Sequence, residues 1–236
     1  MKIPKVLVCC PSSIKKSYCD ERYFNQLNSL NYPNMDVFIC DNSDGMGYFN
    51  KIKSNGFHCF HVENKNKPSA QILAESHEQC RVKAVNGGYD YMLHLESDVF
   101  VPYNDIIQRL MIHRLPIVSA IYPSRHGDKR WFILQQQQFT GLEQHGLFVV
   151  TNLDNGDDIN FIDGSVKKIF SNGIGCSLIR KDVFSKIKFT WKKDSDNHPD
   201  TFFYCELYKQ GIKNYVDTSL LCEHENQMWS VLGGLA

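Results

Sequence analysis

Several things are scarce or missing in this chain, and each absence excludes something. Neither sign of charge dominates: lysine plus arginine number 26, as do aspartate plus glutamate. No general field therefore draws the protein to nucleic acid or an anionic membrane surface, and any such binding must be local. None of the nine cysteines forms the close C-x-x-C spacing of a zinc site or redox motif, and an odd number argues against a secreted disulfide framework. Cys9, Cys10 and Cys40 lie inside apolar runs, where cysteine serves as a small buried hydrophobe, so a reducing, cytoplasmic setting is expected. Long hydrophobic runs are missing too. Met1-Lys2-Ile3-Pro4-Lys5 leads into only five apolar residues, too few for a signal-peptide core or a membrane span, and no later run is long enough either. There is no internal repeat, and Gln135 to Gln138 is too short to be a low-complexity tract.

What is present reads as α/β. At 236 residues the chain suits one domain with a substantial core. Short apolar runs alternate with helical patterns through the first hundred residues, the signature of βαβ units and a mostly parallel sheet. Strands are expected at Val6 to Cys10, Met35 to Cys40, Phe57 to Val62, Tyr91 to Leu95 and Ile117 to Tyr122. Helices are expected from Asp20, as its cap, through Leu30; in a short piece ended by Gly56; from Ser69, as cap, to about Asn86; and from Pro102 to His113. Gly, Asp, Asn and Gln interrupt the stretch from Pro123 to Val166, which reads as an inserted hairpin, Trp131 to Leu134 with Leu147 to Val150, carrying long loops. The α/β pattern resumes at Gly173 to Ile179, followed by helices from Lys181 and from Asp200 to Gln210 and strands near Tyr215 and Leu220. Residues 1–122 and 123–236 are expected as two halves of one domain.

The chemistry concentrates where strands end. Ligands of open α/β sheets bind beyond the carboxyl ends of the strands. Here the chain places Pro11 and Ser12 after the first strand, Asp41 after the second, and Glu96-Ser97-Asp98 after the fourth. Two carboxylates one residue apart at the mouth of a buried strand are costly to leave unpaired, and a cation is their natural partner. Asp41 suits two roles, accepting hydrogen bonds from a base or ribose, or shaping the turn Asp41-Asn42-Ser43. Gly173 and Gly175 let backbone approach a ligand, or simply form a turn or bulge. Lys65 and Lys67 offer charge near the site or a solvated loop. The segment Arg125-His126-Gly127-Asp128-Lys129-Arg130-Trp131 offers a guanidinium and an indole that can stack on a sugar or base, or else a solvated loop with one anchoring tryptophan.

The order of these features resembles the GT-A fold glycosyltransferases, in a family 2-like form. The resemblance runs through Val-Leu-Val-Cys-Cys-Pro at residues 6–11, the acidic end of the second strand, an Arg-bearing helix, and Leu-His-Leu-Glu-Ser-Asp-Val-Phe at 93–100. It continues through Asn172-Gly173-Ile174-Gly175-Cys176, His198-Pro199-Asp200-Thr201-Phe202-Phe203, Val216-Asp217-Thr218 and Cys222-Glu223-His224. It covers most of the chain and weakens between Ser124 and Lys167. The family's Asp-x-Asp metal motif stands here as Glu-x-Asp. The resemblance implies a Rossmann-like domain that moves a sugar from a nucleoside diphosphate donor, with UDP the expected nucleotide, to a hydroxyl of a glycan, lipid, protein or modified DNA base. It implies Glu96, Asp98 and His224 as ligands of Mn2+ or Mg2+, and a donor-contacting set of Pro11, Ser12, Asp41, Arg81, Ser97, Gly173 and Gly175. Asp200 would be the general base of an inverting reaction, or an N-cap, and the two roles can coexist. The family often has Glu-Asp where this chain has Pro199-Asp200.

Two rivals belong beside this reading. A sugar-phosphate nucleotidyltransferase shares the sheet and the carboxylate pair, but it should carry a Gly-rich basic loop after its first strand, and Pro11-Ser12-Ser13 has no glycine run. A nucleotide-binding module without catalysis is the other.

Overall fold

The first strand shows why the chain forms a sheet covered on both faces. Val6, Val8 and Cys10 of β1 (Val6–Ser12) enter one apolar cluster, while Leu7 and Cys9 enter another. A strand apolar at every position can satisfy both faces only between two layers of helices. The computed structural model describes residues 2–126, 129–135, 149–152, 161–193 and 198–225, and the helices take up those two layers. A 3-10 helix (Ile14–Cys19), α1 (Asp20–Ser29), α2 (Gly47–Ser54) and α4 (Ile106–Met111) supply the first cluster. Helices α3 (Ser69–Asn86), α5 (Lys181–Phe184) and α6 (Pro199–Lys209) supply the second. Burying each Leu, Ile or Phe in these layers contributes about 1.5–3 kcal/mol.

The central sheet has eight strands. In sequence they are β1, β2 (Met35–Asp41), β3 (His58–His61), β4 (Tyr91–Leu95), β6 (Ile117–Ile121), β10 (Val166–Ile169), β12 (Cys176–Arg180) and β13 (Asn214–Leu221), in the spatial order β10-β13-β6-β12-β4-β1-β2-β3. The sheet is mostly parallel: β12 runs antiparallel to β4 and β6, and β10 antiparallel to β13. A side sheet joins β7 (Pro123–His126), β8 (Lys129–Gln135), β9 (Val149–Asn152) and β11 (Ser171–Asn172), and a short pair joins β5 (Val99–Phe100) to β14 (Glu223–His224). That last pair brings the chain's late histidine back to the strand that carries the carboxylates.

The α/β class and the parallel sheet expected from the sequence are present. Several details differ. Asp20 is not the cap of α1: Cys19 is, and the Asp20 carboxylate accepts from Tyr48 Oη at 2.6 Å and pairs with Lys51 at 2.7 Å. Pro68 precedes α3 as its cap, so Ser69 is already helical. The helix expected from Pro102 starts only at Ile106. The strands near Tyr215 and Leu220 are one strand with a register shift between Asp217 and Leu221. The Arg125 to Trp131 segment, expected as a loop, is the β7–β8 hairpin, with Arg125 opposite Arg130; Gly127 and Asp128 lie outside the described residues. The expected strand start at Leu147 lies outside them as well. All nine cysteines are free, and Cys9, Cys10 and Cys40 are fully buried. No helix among the described residues is long and apolar enough to cross a membrane.

Candidate active site

Strand β4 ends by delivering Glu96, Ser97 and Asp98 into a tight turn. Glu96 N–H donates to the Gly175 carbonyl at 2.8 Å, and Val99 N–H donates back to the Glu96 carbonyl at 3.1 Å. The turn is held from the other side by Glu225 N–H, which donates to the Asp98 carbonyl at 2.9 Å. Pairing of β14 with β5 sets His224 opposite Val99. As a result, ligand atoms of Glu96, Asp98 and His224 all lie within 4.8 Å of one another.

His224 is oriented for such a role. Its Nδ1 bonds to the Pro123 carbonyl at 3.0 Å, and with Nδ1–H donating, Nε2 is left to face Asp98 Oδ2 at 3.4 Å. A second bond that fixes the ring and its tautomer is the usual support of a metal-binding histidine. Two carboxylates and an imidazole make a donor set that fits a divalent cation of the Mn2+ or Mg2+ kind.

The charges around the two carboxylates differ. Burial alone would raise the Asp98 carboxyl, but the hydrogen bond and charge of His224, with the Lys16 ammonium, hold it below the ordinary range. Lys16 comes from the 3-10 helix after β1 and contacts Asp98 Oδ2 directly. His224 is raised in turn, since Asp98 and Glu96 outweigh its burial. Glu96 goes the other way. Burial, then the charges of Asp98 and Asp200, push its carboxyl up to about 7.

Asp200 stands in the first turn of α6, after Pro199, and His198 rather than Asp200 is the helix cap. Its carboxylate faces two histidines, one of which is bonded to a third. His198 Nδ1 is 3.2 Å and His77 Nε2 3.8 Å from Asp200 Oδ1, and His77 Nδ1 bonds to His94 Nε2 at 2.8 Å. Burial raises the Asp200 carboxyl, but the charge and hydrogen bond of His198, then His77 and His94, pull it well below the usual range. Its charge in turn helps to raise the Glu96 carboxyl.

Burial, then the charges of Glu96 and Asp200, raise the Tyr122 hydroxyl. Gly175 N–H donates to that hydroxyl at 2.8 Å, and the Tyr122 ring meets His224 edge-on at 5.1 Å. A Cβ on Gly173 would come within 2.2 Å of the Tyr122 hydroxyl, and one on Gly175 within 2.7 Å. The two glycines are thus required by the approach of a tyrosine, a reason the sequence did not disclose.

The remaining residues expected at the site are placed as follows. Pro11 and Ser12 end β1, buried, and Ser12 Oγ donates to Ser97 Oγ at 3.2 Å, joining the first and fourth strand ends. Asp41 ends β2 fully buried, accepting from Ser43 N–H at 2.9 Å and bonded to His61 Nδ1 at 2.7 Å. Its turn-shaping role is therefore visible. Arg81 grips Glu78 and the Phe184 carbonyl, a link between α3 and α5. Lys67 pairs with Glu75 at 2.6 Å. Lys16, Tyr122, His77 and His198 were missed by the sequence reading, as was His94, although a histidine within the apolar run Tyr91-Met92-Leu93-His94-Leu95 was a signal.

Comparison with known proteins establishes the fold and nothing finer. No protein-family model and no curated protein matches the chain. Among solved structures, the mannosyltransferase PcManGT from Pyrobaculum calidifontis, in complex with GDP-Man and Mn2+, is similar at 10% identity and a TM-score of 0.59 over 95% of this chain and 57% of that one. S. aureus TarS 1–349 is similar at 12% identity and a TM-score of 0.53, over 93% and 60%. A CMP:2-keto-3-deoxy-manno-octonic acid synthetase complexed with CTP is similar at 12% identity and a TM-score of 0.50, over 90% and 88%. The chain thus spans less than two thirds of the mannosyltransferase and of TarS. The shared architecture is the Rossmann-like α/β sheet of GT-A domains.

Proposed function

We propose that this protein is a metal-dependent glycosyltransferase that moves a hexose or related sugar from a nucleoside diphosphate to a hydroxyl acceptor, with inversion. The observation that carries the reading is the pairing of a cation-binding set, Glu96, Asp98 and His224, with a separate carboxylate, Asp200, at one end of one sheet. The mannosyltransferase of like fold is complexed with GDP-Man and Mn2+, which supports a nucleotide-sugar donor and manganese here.

A bound divalent cation would stabilise the charge that develops on the departing nucleoside diphosphate. The chain's own residues supply the rest. Ser12 and Ser97 tie the strand ends beneath the donor, and Tyr122, with Gly173 and Gly175 against it, packs beside His224. Asp200 Oδ1 or Oδ2 accepts the proton of the acceptor hydroxyl as that oxygen attacks the anomeric carbon. His198 at the helix start, half-exposed and raised by the charge of Asp200, helps keep this carboxylate ionised and ready.

One observation favours a second reading. Lys16 brings an ammonium from the segment after β1 to the carboxylates, which is where a nucleotidyltransferase needs positive charge for a triphosphate. The two reactions separate cleanly. Nucleotide sugars are screened by thermal shift with and without Mn2+, and the best donor is assayed for nucleoside diphosphate release. Nucleoside triphosphates with sugar phosphates are assayed for pyrophosphate. Asp200→Asn should cut diphosphate release at least about 100-fold while leaving donor binding intact. Pyrophosphate release in place of diphosphate release would transfer the assignment to the second reading.

A further inference from the structure

The strand that carries His224 is too short to hold itself. β14 and β5 pair through Glu223 with Phe100 and His224 with Val99, and the ladder gains one more step where Glu225 N–H donates to the Asp98 carbonyl at 2.9 Å. So short a two-stranded pair is marginal without side-chain support. Helix α1 supplies that support to both strands. For β5, Gln26 Nε2 donates to the Val99 carbonyl at 3.0 Å, and Gln26 Oε1 accepts from Val101 N–H at 2.7 Å. For β14, Arg22 reaches a carboxylate on either side of His224: Nη2 donates to Glu223 Oε2 and Nη1 to Glu225 Oε1. The same guanidinium lies over the Phe100 ring, 3.8 Å from its centre. Tyr18 Oη, just before α1, donates to the Glu225 carbonyl at 2.8 Å.

Successive side chains of a strand point to opposite faces. Glu223 and Glu225 therefore share the face that meets α1, and His224 turns its ring to the other, where Asp98 and Glu96 stand. A slip of one residue would exchange the two faces. Arg22 opposes that slip with one rigid plane that meets three groups at once, a match that the single point charge of a lysine does not make. A lone exposed ion pair would hold little. The half-exposed Arg22 matters because its two carboxylates stand two residues apart on one strand.

From this geometry we propose that Arg22 is a positioning residue for His224: its grip on Glu223 and Glu225 fixes the face of β14 and so aims the imidazole at the cation site. This role rests on the reading of Glu96, Asp98 and His224 as that site. Charge and positioning predict opposite signs. A guanidinium near a cation site repels the cation, so by charge alone the loss of Arg22, which also bares two carboxylates, would tighten cation binding. By positioning, the same loss weakens it.

The test is Mn2+ binding by calorimetry to the full-length protein, with no substrate present. Arg22→Met keeps most of the alkyl chain and removes the fork. It should weaken Mn2+ binding about 10- to 100-fold, the usual loss when the support of a metal ligand is removed. Arg22→Lys should recover only a small part, because an ammonium cannot meet both carboxylates and the ring together. Amide hydrogen exchange without metal reads the cause: Glu225 N–H should exchange at least about tenfold faster in Arg22→Met, with the β4 amides unchanged. Unchanged or tighter Mn2+ binding in Arg22→Met, beside a lost affinity in His224→Ala, would overturn the positioning role and leave the cation site intact. An unmoved Glu225 amide, or faster exchange throughout β4, would overturn it as well. Wild-type affinity in His224→Ala would remove the ligand and the inference with it. If Arg22→Met does not fold, Arg22→Lys decides: wild-type affinity with an unmoved Glu225 amide overturns the proposal.

Discussion

Asp98 and Asp200 both push the Glu96 carboxyl up, yet their own partners differ. Asp98 is met by the Lys16 ammonium and by the Nε2 face of His224, whose ring the Pro123 carbonyl fixes. Asp200 is met from inside by rings that burial keeps neutral, clamped by aromatic stacking, and from outside by His198. The difference bears on the role proposed for each carboxylate. Asp98 has a lysine ammonium that a bound cation would have to displace, whereas Asp200 is held ionised chiefly by the charge and hydrogen bond of His198. Glu96 lies between the two and feels both.

The sharpest way to break the comparison is to delete each carboxylate and measure metal binding alone. Asp98→Ala should weaken Mn2+ binding at least about 100-fold by calorimetry, since it removes one of three ligands and leaves a buried imidazole facing nothing. Asp200→Ala should leave the affinity within about threefold, because Asp200 contributes only a distant charge. Equal losses would mean that the two groups form one cation site and that the contrast drawn here is false.

A smaller effect is expected at Tyr122, whose hydroxyl the charges of both Glu96 and Asp200 raise. Gly173→Ala places a methyl within 2.2 Å of the Tyr122 hydroxyl and 2.8 Å of its ring. Overpacking of this kind costs about 1–3 kcal/mol, read as a fall in the midpoint of denaturant unfolding. The Tyr122 ring contacts His224 edge-on, so Mn2+ affinity should fall too, while the His77–His94 pair keeps its nitrogen spectrum. Loss of both signals together would show that Tyr122 couples the regions.

The two regions also differ in how far the sequence revealed them. Glu96 and Asp98 are legible because the apolar run before them fixes a buried strand, and carboxylates at its mouth violate the apolar pattern. The parallel sheet is legible for the same reason, in the unbroken apolar runs of β1 and β4. Long-range pairing is not. Nothing local in Cys222-Glu223-His224 says that β14 will pair with β5; only the resemblance of the whole chain pointed to His224. Lys16 carried no signal, because a lysine in a polar segment after a strand looks solvated until the 3-10 helix turns it inward. His77 was concealed within the mostly polar helix α3, where a single histidine reads as surface. Gly173 and Gly175 were legible as places of close backbone approach, to a ligand or in a turn or bulge, but the approach of Tyr122 has no local signal in the sequence.

The exchangeable character of the Asp98 side can be sharpened through Lys16. If its ammonium acts as a resident counter-ion, a divalent cation must displace it to bind. Lys16→Met keeps most of the alkyl chain and removes the competitor. It should tighten Mn2+ binding about 3- to 10-fold in the absence of nucleotide, as expected for loss of one partly exposed ion pair to a carboxylate. Weaker binding would assign Lys16 to the support of the site rather than to competition for it.

The smallest expected effect concerns Glu96 and has a definite sign with pH. Its carboxyl ionises near the ordinary value in the unfolded chain but is pushed up to about 7 in the folded protein, by burial and then by Asp98 and Asp200. Between those two values the folded state holds a proton that the unfolded state has lost, so stability falls as pH rises from about 4.5 to about 7 and levels off above. Glu96→Gln cannot ionise and escapes that fall. Without metal, the variant and the wild type should melt together near pH 4.5, and the variant should gain a few degrees by pH 8. Added Mn2+ should reverse the order, because the wild type then gains a ligand that the amide replaces poorly. A gain that is constant across the pH range would locate the effect in packing and would separate Glu96 from both of its neighbours.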